Sequence, residues 1–333
     1  MYASDNVETF RQEGLLGLTV PEQFGGLGAN LSESTETLRT LAQGSPSSAL
    51  MLAMHSSILA NYRLDPASIP SQERDAFVEQ RAWAFSEAVN GKLFAVANSE
   101  TGAGGDVHNS RAIVTPESTL TGPKSFCSMG VNADYFMAAA RRDGERVEYF
   151  LIRNDPRHIA TATPWDGLGM RSSESVTLLF DHAPVLGYLC YRGMLDGANN
   201  RHWSTLAFTS IFIGAGESLL SEIAGRASSM LQKVAASDLE LTLQASRSFL
   251  RHCVASEPAF PDDGYKRLVR DCKLFVTRSI AREASALFIA QSGSAYRFGS
   301  EAARKLRDIL AGPMLRPTLG ITFDSIWDEL AAV

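Results

Sequence analysis

The spacing of apolar residues changes twice along the chain, and the two changes divide it into three stretches. From 1 to 92 the pattern is helical. GLLGLTVPEQFGGLGANLS opens with an apolar run and breaks at Pro21 and at Gly25-Gly26, which predicts a helix end followed by a structured loop. SSALMLAMHSSILANY (47–62) is apolar over most of its circumference and predicts a buried helix, whereas SQERDAFVEQRAWAF (71–85) is amphipathic. His55, on the first of these, reads as a core or interface histidine. From about 93 to 190, short apolar runs (LFAVA, DYFMAAA, VEYFLI, VTLLF) alternate with TPES, RRDGER, RNDPRH and RSSES, the spacing of an antiparallel sheet or small barrel. Beyond 200 the chain returns to helix. There, Val269, Cys272, Val276, Ile280, Ala284 and Leu287 recur at three- and four-residue steps and mark one buried stripe. Residues 254–265 form the clearest loop of this last stretch. The expected fold class is α+β and multidomain: an N-terminal helical domain (1–92), a middle antiparallel β domain (93–190) and a C-terminal helix bundle (191–333).

Composition narrows the function more than the fold. The 333 residues, 45% of them hydrophobic, suffice for a large core and several domains. The formal charge of −6 is spread thinly with no basic stripe, which argues against nucleic acid as a partner. No uninterrupted apolar run reaches the roughly 20 residues a bilayer requires, and MYASDNVETFRQEG lacks the basic and apolar regions of a signal peptide. A cytoplasmic protein without a membrane partner is expected. Cys127, Cys190, Cys253 and Cys272 lie far apart without CxxC spacing, and the six histidines form no HExxH pair, so no metal site is expected. GxSxG, a P-loop lysine motif and a helix-opening GxGxxG are also absent.

Two segments carry the candidate chemistry. FAVANSETGAGGDV joins a polar pair, Asn98-Ser99, to a glycine-rich turn that includes Gly104 and Gly105. LTGPKSFCSMGVNAD sets Phe126 and Ser128 two residues apart, which on a regular strand places them on one face. An aromatic ring, hydroxyls and backbone amides converging from neighbouring strands suit a flat cofactor with hydrogen-bonding edges and a phosphate tail, and a flavin fits best. Cys127, between them, reads as an ordinary strand residue.

With those segments the chain resembles the acyl-CoA dehydrogenase superfamily over nearly its whole length. GLLGLTVPEQFGGLG, SETGAGGDV, GPKSFCSMGVNAD, WDGLGMRSSESVTLLFDHAPV and KLRD (305–308) resemble five of that family's segments, in the same order. The resemblance implies helical N-terminal domain, middle β-barrel and C-terminal bundle, with FAD held between barrel and bundle. It implies that Ser99 and Ser128 stand where threonines meet the flavin, that Phe126 replaces a tryptophan beside the ring, and that Gly105 replaces a serine at the pyrophosphate. Gly293, in IAQSGSA, is the one match to the glycines that meet a neighbouring subunit's cofactor.

The family's dehydrogenases need a carboxylate base to take the α-proton of an acyl thioester. The two positions where the resemblance would place it hold Arg316 and Ser204, and a guanidinium cannot serve as a base near neutral pH. Three functions follow from this. The first is a flavin-dependent acyl-CoA dehydrogenase acting at the α,β carbons, with Glu217 or Asp308 supplying the base and an electron-transfer flavoprotein as partner. The second is a monooxygenase that uses reduced flavin from a reductase, and oxygen, on a small aromatic substrate oriented by His202 or Arg316. The third is a non-catalytic, ligand-binding member. Family habit and apolar helix faces imply a homodimer or homotetramer.

Overall fold

In the computed structural model, residues 3–142, 147–188, 201–258, 262–315 and 317–331 are described. They form two compact units: Met1–Asn30 with Met51–Asp166 and Arg171–Arg201, and Leu31–Leu50 with Gly167–Met170 and His202–Val333.

The first unit contains helices α1 (Ser4–Gln12) and α4 (Arg74–Val89), most of α3 (Pro46–Asn61) and a seven-stranded sheet. Its strands are β1 (Phe94–Ala97), β2 (Ile113–Val114), β3 (Thr119–Cys127), β4 (Tyr135–Arg142), β5 (Val147–Arg153), β6 (Ile159–Thr163) and β7 (Val176–Tyr188). The fully antiparallel sheet expected from the turn spacing is not what forms. β1 and β2 both pair with β4 in parallel, while the remaining pairings are antiparallel. The reason is the irregular connection after β1, which is no tight hairpin and so imposes no antiparallel return. β4 carries β5 on one edge and β1 and β2 on the other, so the pairings run from β4 through β2, β3, β7 and β5 back to β4.

The core of this unit is aromatic. Phe77 and Phe85 from α4, Tyr62, and the register partners Phe94 and Tyr135 of β1 and β4 are all buried in one cluster, with Phe94 and Tyr135 rings 5.0 Å apart. His55 on α3 belongs to this core. Its Nε2 meets the Leu16 carbonyl at 2.8 Å and its Nδ1 accepts from the Phe94 N–H at 3.0 Å. Burial pushes its pKa down to about 4. It is a structural histidine, as expected.

The second unit is helical: α2 (Leu31–Gly44), α5 (Arg201–Ala224), α6 (Met230–Ala255), α7 (Asp263–Ile289), α8 (Glu301–Ile309) and α9 (Leu319–Ala331). The stripe read on α7 is buried throughout, from Val269 to Leu287. Gly214 lets α5 pass close to α2, because a Cβ there would stand 2.1 Å from the Arg39 carbonyl oxygen. Although it has no uninterrupted apolar run of bilayer-crossing length, His202–Ala224 is long and apolar enough by composition to cross a bilayer. However, 67% of its apolar window is buried.

Candidate functional site

In the first unit, the two motif segments meet at the end of β3. Ser99 bridges Ser125, whose N–H donates to the Ser99 carbonyl at 2.8 Å, and the hydroxyls of Thr101 and Ser125 lie 3.0 Å apart. Beneath them is a buried ion pair that the sequence reading passed over. Lys124 Nζ donates to Glu100 Oε1 at 2.6 Å and to Ser110 Oγ at 3.0 Å, and also to the Ala139 carbonyl. Glu100 further accepts from the Arg111 N–H at 2.7 Å, the Ala112 N–H at 3.1 Å and the Ser110 hydroxyl. Burial alone would raise the Glu100 pKa, but Lys124, Ser110 and the Arg111 amide outweigh it and hold the carboxyl near 2. The pair is a strut that locks the glycine-rich loop to β3. A charge planted in each of two otherwise small-residue motifs was the available signal.

Above this strut the chain opens outward. Gly102, Gly104 and Gly105 take φ of 85°, 65° and 87°, a left-handed run that favours glycine. A Cβ on Gly104 would meet nothing within 4 Å, so the turn is open on that side. Asn98 is committed to the scaffold, its Oδ1 accepting from the Ala139 N–H at 3.0 Å and extending the β1–β4 ladder. The Ser99 hydroxyl has no hydrogen-bond partner among the described residues and is half-buried.

Phe126 and Ser128 do not share a strand face. The β3–β7 register slips between Lys124 and Cys127, and Phe126 itself has φ of 57°. Regular alternation therefore fails where it was assumed. Phe126 is 63% exposed with Trp165 edge-on at 6.2 Å, whereas Ser128 is 3% exposed. The Ser128 hydroxyl lies 2.9 Å from that of Ser175, which in turn lies 2.7 Å from that of Ser173. A bulky residue held in left-handed backbone with its ring in solvent costs of order 1 kcal/mol or more, and such strain concentrates at functional positions. Cys127 is fully buried with its thiol pushed up to about 12, an inert strand residue.

The second unit holds the remaining candidates. Glu217 is enclosed by two guanidinium groups and an amide: Arg39 Nη1 donates to it at 2.5 Å, Arg247 Nη1 at 2.8 Å and Gln43 Nε2 at 2.8 Å. Asp308 is buried and accepts from the Met170 N–H at 2.6 Å. It thereby fixes WDGLGM to KLRD, where a Cβ on Gly169 would meet the Arg307 carbonyl at 2.1 Å. Burial raises the Asp308 pKa. Both carboxylates are structurally occupied. Ser204 is half-buried on α5, and Gly293 opens a short 3-10 turn (Gly293–Tyr296) with open space around it. Arg316 lies outside the described residues. The carbonyls of its neighbours Leu315 and Pro317 accept from the buried Lys273 at 2.7 and 2.8 Å, and burial pushes that ammonium down to about 8.

His202 differs from these. It is 6% exposed, its Nε2 lies 2.7 Å from Glu257 Oε1, and its Nδ1 is buried without a partner among the described residues. Trp203, 4% exposed, likewise leaves its Nε1–H unpaired among the described residues. Each such orphan costs about 1–3 kcal/mol, so each calls for an explanation.

The fold is acyl-CoA dehydrogenase-like. Residues 2–75 match the family model "Acyl-CoA dehydrogenase, N-terminal domain". It is 28% identical over 179 residues to the mitochondrial isovaleryl-CoA dehydrogenase of Solanum tuberosum, covering 51% of this chain and 41% of that protein. It is 24% identical to the L-evernosamine nitrososynthase of a Micromonospora species, over 93% of this chain and 79% of that protein. The structure of KijD3 in complex with FMN and dTDP-3-amino-2,3,6-trideoxy-4-keto-3-methyl-D-glucose superposes with a TM-score of 0.85 at 21% identity. That match covers 100% of this chain and 87% of KijD3.

Proposed function

We propose that this protein is a flavin-dependent monooxygenase of the superfamily, taking reduced flavin from a reductase and oxidising a small substrate that bears an aromatic hydroxyl or amine. The observation that carries this reading is the state of the carboxylates. Glu217 is neutralised by Arg39 and Arg247, and Asp308 is spent on the Met170 amide. Position 204 offers only a serine. With both of these candidate carboxylates committed, α-proton abstraction from a thioester lacks the base they would have supplied. The long match to a nitrososynthase and the KijD3–FMN complex support the same direction.

The residues present fit a flavin. The exposed Phe126 ring offers a packing face, the unpaired Ser99 hydroxyl a hydrogen bond to a polar edge, and the 102–105 turn a run of backbone amides for phosphate. A bound reduced flavin supplies the electrons that activate dioxygen. The chain's own residues bind and orient, and the strut of Glu100 and Lys124 holds the loop in place. Asn98 and Ser128 serve this indirectly, through the scaffold, while Gly104 and Gly105 leave room at the turn. FAD is the form the family resemblance favours, and FMN the one in KijD3.

We also read the ring of strand pairings as a small β-barrel flanked by helical domains (1–92 and 191–333). The protein is read as a cytoplasmic homodimer or homotetramer, consistent with exposed Met230, Leu231, Phe298 and Trp327. The test pairs the protein with a flavin reductase and measures oxygen-dependent product from phenols, indoles and amino sugars. Product is expected, with no anaerobic bleaching of bound FAD by acyl-CoAs. Bleaching without oxygen would favour the second reading, an acyl-CoA dehydrogenase passing electrons to an electron-transfer flavoprotein, which the isovaleryl-CoA dehydrogenase likeness supports.

A further inference from the structure

The buried cysteines Cys127, Cys253 and Cys272 are not equivalent. The Cys127 thiol turns back on its own strand, where it donates to the Lys124 carbonyl at 3.4 Å. Cys253 and Cys272 sit on two different helices and meet each other. Cys253 is in the last turn of α6, and Cys272 lies well inside α7. Each belongs to the buried stripe of its helix: Leu243, Ser246, Leu250 and Cys253 on α6, and Val269, Cys272 and Val276 on α7. Steps of three and four residues keep each set on one face, and both cysteines are 0% exposed.

Three contacts join the two helices here. Cys253 Sγ donates to the Leu268 carbonyl at 3.9 Å. Within α7 that same carbonyl accepts from the N–H four residues further on, which belongs to Cys272. The sulfur of one cysteine and the backbone of the other therefore converge on one oxygen. The Tyr265 hydroxyl of α7 donates to the Cys253 carbonyl at 3.1 Å and ties down the end of α6. Finally, the Cys272 thiol donates a hydrogen bond to Cys253 Sγ. That bond lowers the pKa of Cys253, against the effect of burial, and raises that of Cys272. Cys253 is accordingly the better nucleophile of the two. Filling this face takes only apolar side chains, as Leu250 and Val269 show on either side. Two thiols in contact add the capacity to be joined.

We propose that Cys253 and Cys272 form a redox-sensitive clip, which a hydroperoxide closes into a disulfide tying the end of α6 to α7. The Cys253 thiolate attacks one oxygen of hydrogen peroxide. An S–O bond forms, the O–O bond breaks, and the departing hydroxide takes up the proton that Cys253 gave. The Cys272 sulfur then attacks the Cys253 sulfur of this sulfenic acid. The S–S bond forms, the S–O bond breaks, and the second hydroxide leaves with the Cys272 proton. Two thiols and one peroxide become one disulfide and two waters, with two electrons passing from sulfur to oxygen. The closed loop restrains the unfolded chain, so the oxidised protein resists unfolding. The clip is independent of which reaction the protein catalyses.

The test uses the full chain, with hydrogen peroxide as the only oxidant. Folded protein is treated, quenched, alkylated in denaturant and digested, and linked peptides are read by mass spectrometry. Met230, 75% exposed, reports through its sulfoxide that the oxidant has acted. The wild type should give a Cys253–Cys272 disulfide, reversible by dithiothreitol and about tenfold or more in excess of any other cysteine pairing. Its urea midpoint should rise on oxidation and return on reduction. Cys272→Ala should stop at a Cys253 sulfenic acid, captured by dimedone, and Cys253→Ala should give neither product. The wild-type measurements decide the matter even where a variant does not fold. Oxidised Met230 with both thiols still free would make the pair plain core residues and overturn the proposal. A disulfide to Cys127 or Cys190 instead, or one that fails to raise the midpoint, would overturn it as well.

Discussion

Glu100 and His202 are both buried ionisable side chains, and the structure treats them in opposite ways. Around Glu100 every polar atom has a partner: an ammonium, a hydroxyl and two backbone amides surround one carboxylate. At His202 one ring nitrogen is paired and the other is not, and the neighbouring Trp203 repeats the omission. The first arrangement is complete without a ligand and belongs to the scaffold. The second is incomplete within the described residues. Glu217 and Asp308 resemble Glu100 in being held by partners of their own.

The contrast can be broken at its satisfied end first. Lys124→Met would strand the Glu100 carboxylate in the core and should cost about 3–5 kcal/mol, read by urea unfolding. Adding Glu100→Gln should return much of that loss. A single-variant cost below about 1 kcal/mol would mean the pair is no strut.

His55, the other fully paired buried group, should show itself through pH. Its folded pKa near 4 lies below the unfolded value of 6.5, so the unfolded chain takes up the proton first. Stability is therefore intact above pH 6.5, falls as the pH drops from there, and stops falling near 4. The total is about 3 kcal/mol from a shift of 2.5, the difference between 6.5 and 4. Denaturation curves for wild type and His55→Gln should differ in slope only within that window, and parallel curves would discount the group.

At the unsatisfied end, His202→Gln should change stability by no more than about 1 kcal/mol, because Nδ1 contributes no bond to the folded state. A loss as large as that of Lys124→Met would place His202 in the scaffold.

Much of the fold was legible because burial repeats with a period. The α7 stripe and the apolar α3 follow from it directly. The parallel pairing of β1 and β2 with β4 was not legible, since turn spacing reports strand ends and not the direction of a long connection. The two motif segments were legible in the sequence, but the side-chain directions within them were not. A single left-handed residue at Phe126 and a slipped register turned Phe126 outward and Ser128 inward. The pairing of His202 with Glu257 spans two helices and has no local signature.

Phe126 offers the most direct test of the proposed flavin-binding surface. Glycine adopts a φ of 57° without penalty and the ring is exposed, so Phe126→Gly should fold at least as stably as the wild type. Equilibrium titration with FMN and with FAD, followed by flavin fluorescence, should show submillimolar binding by the wild type and about tenfold weaker binding by Phe126→Gly, consistent with the loss of one stacking contact. Equal affinity in the two proteins, or none in either, would contradict a flavin resting against this face.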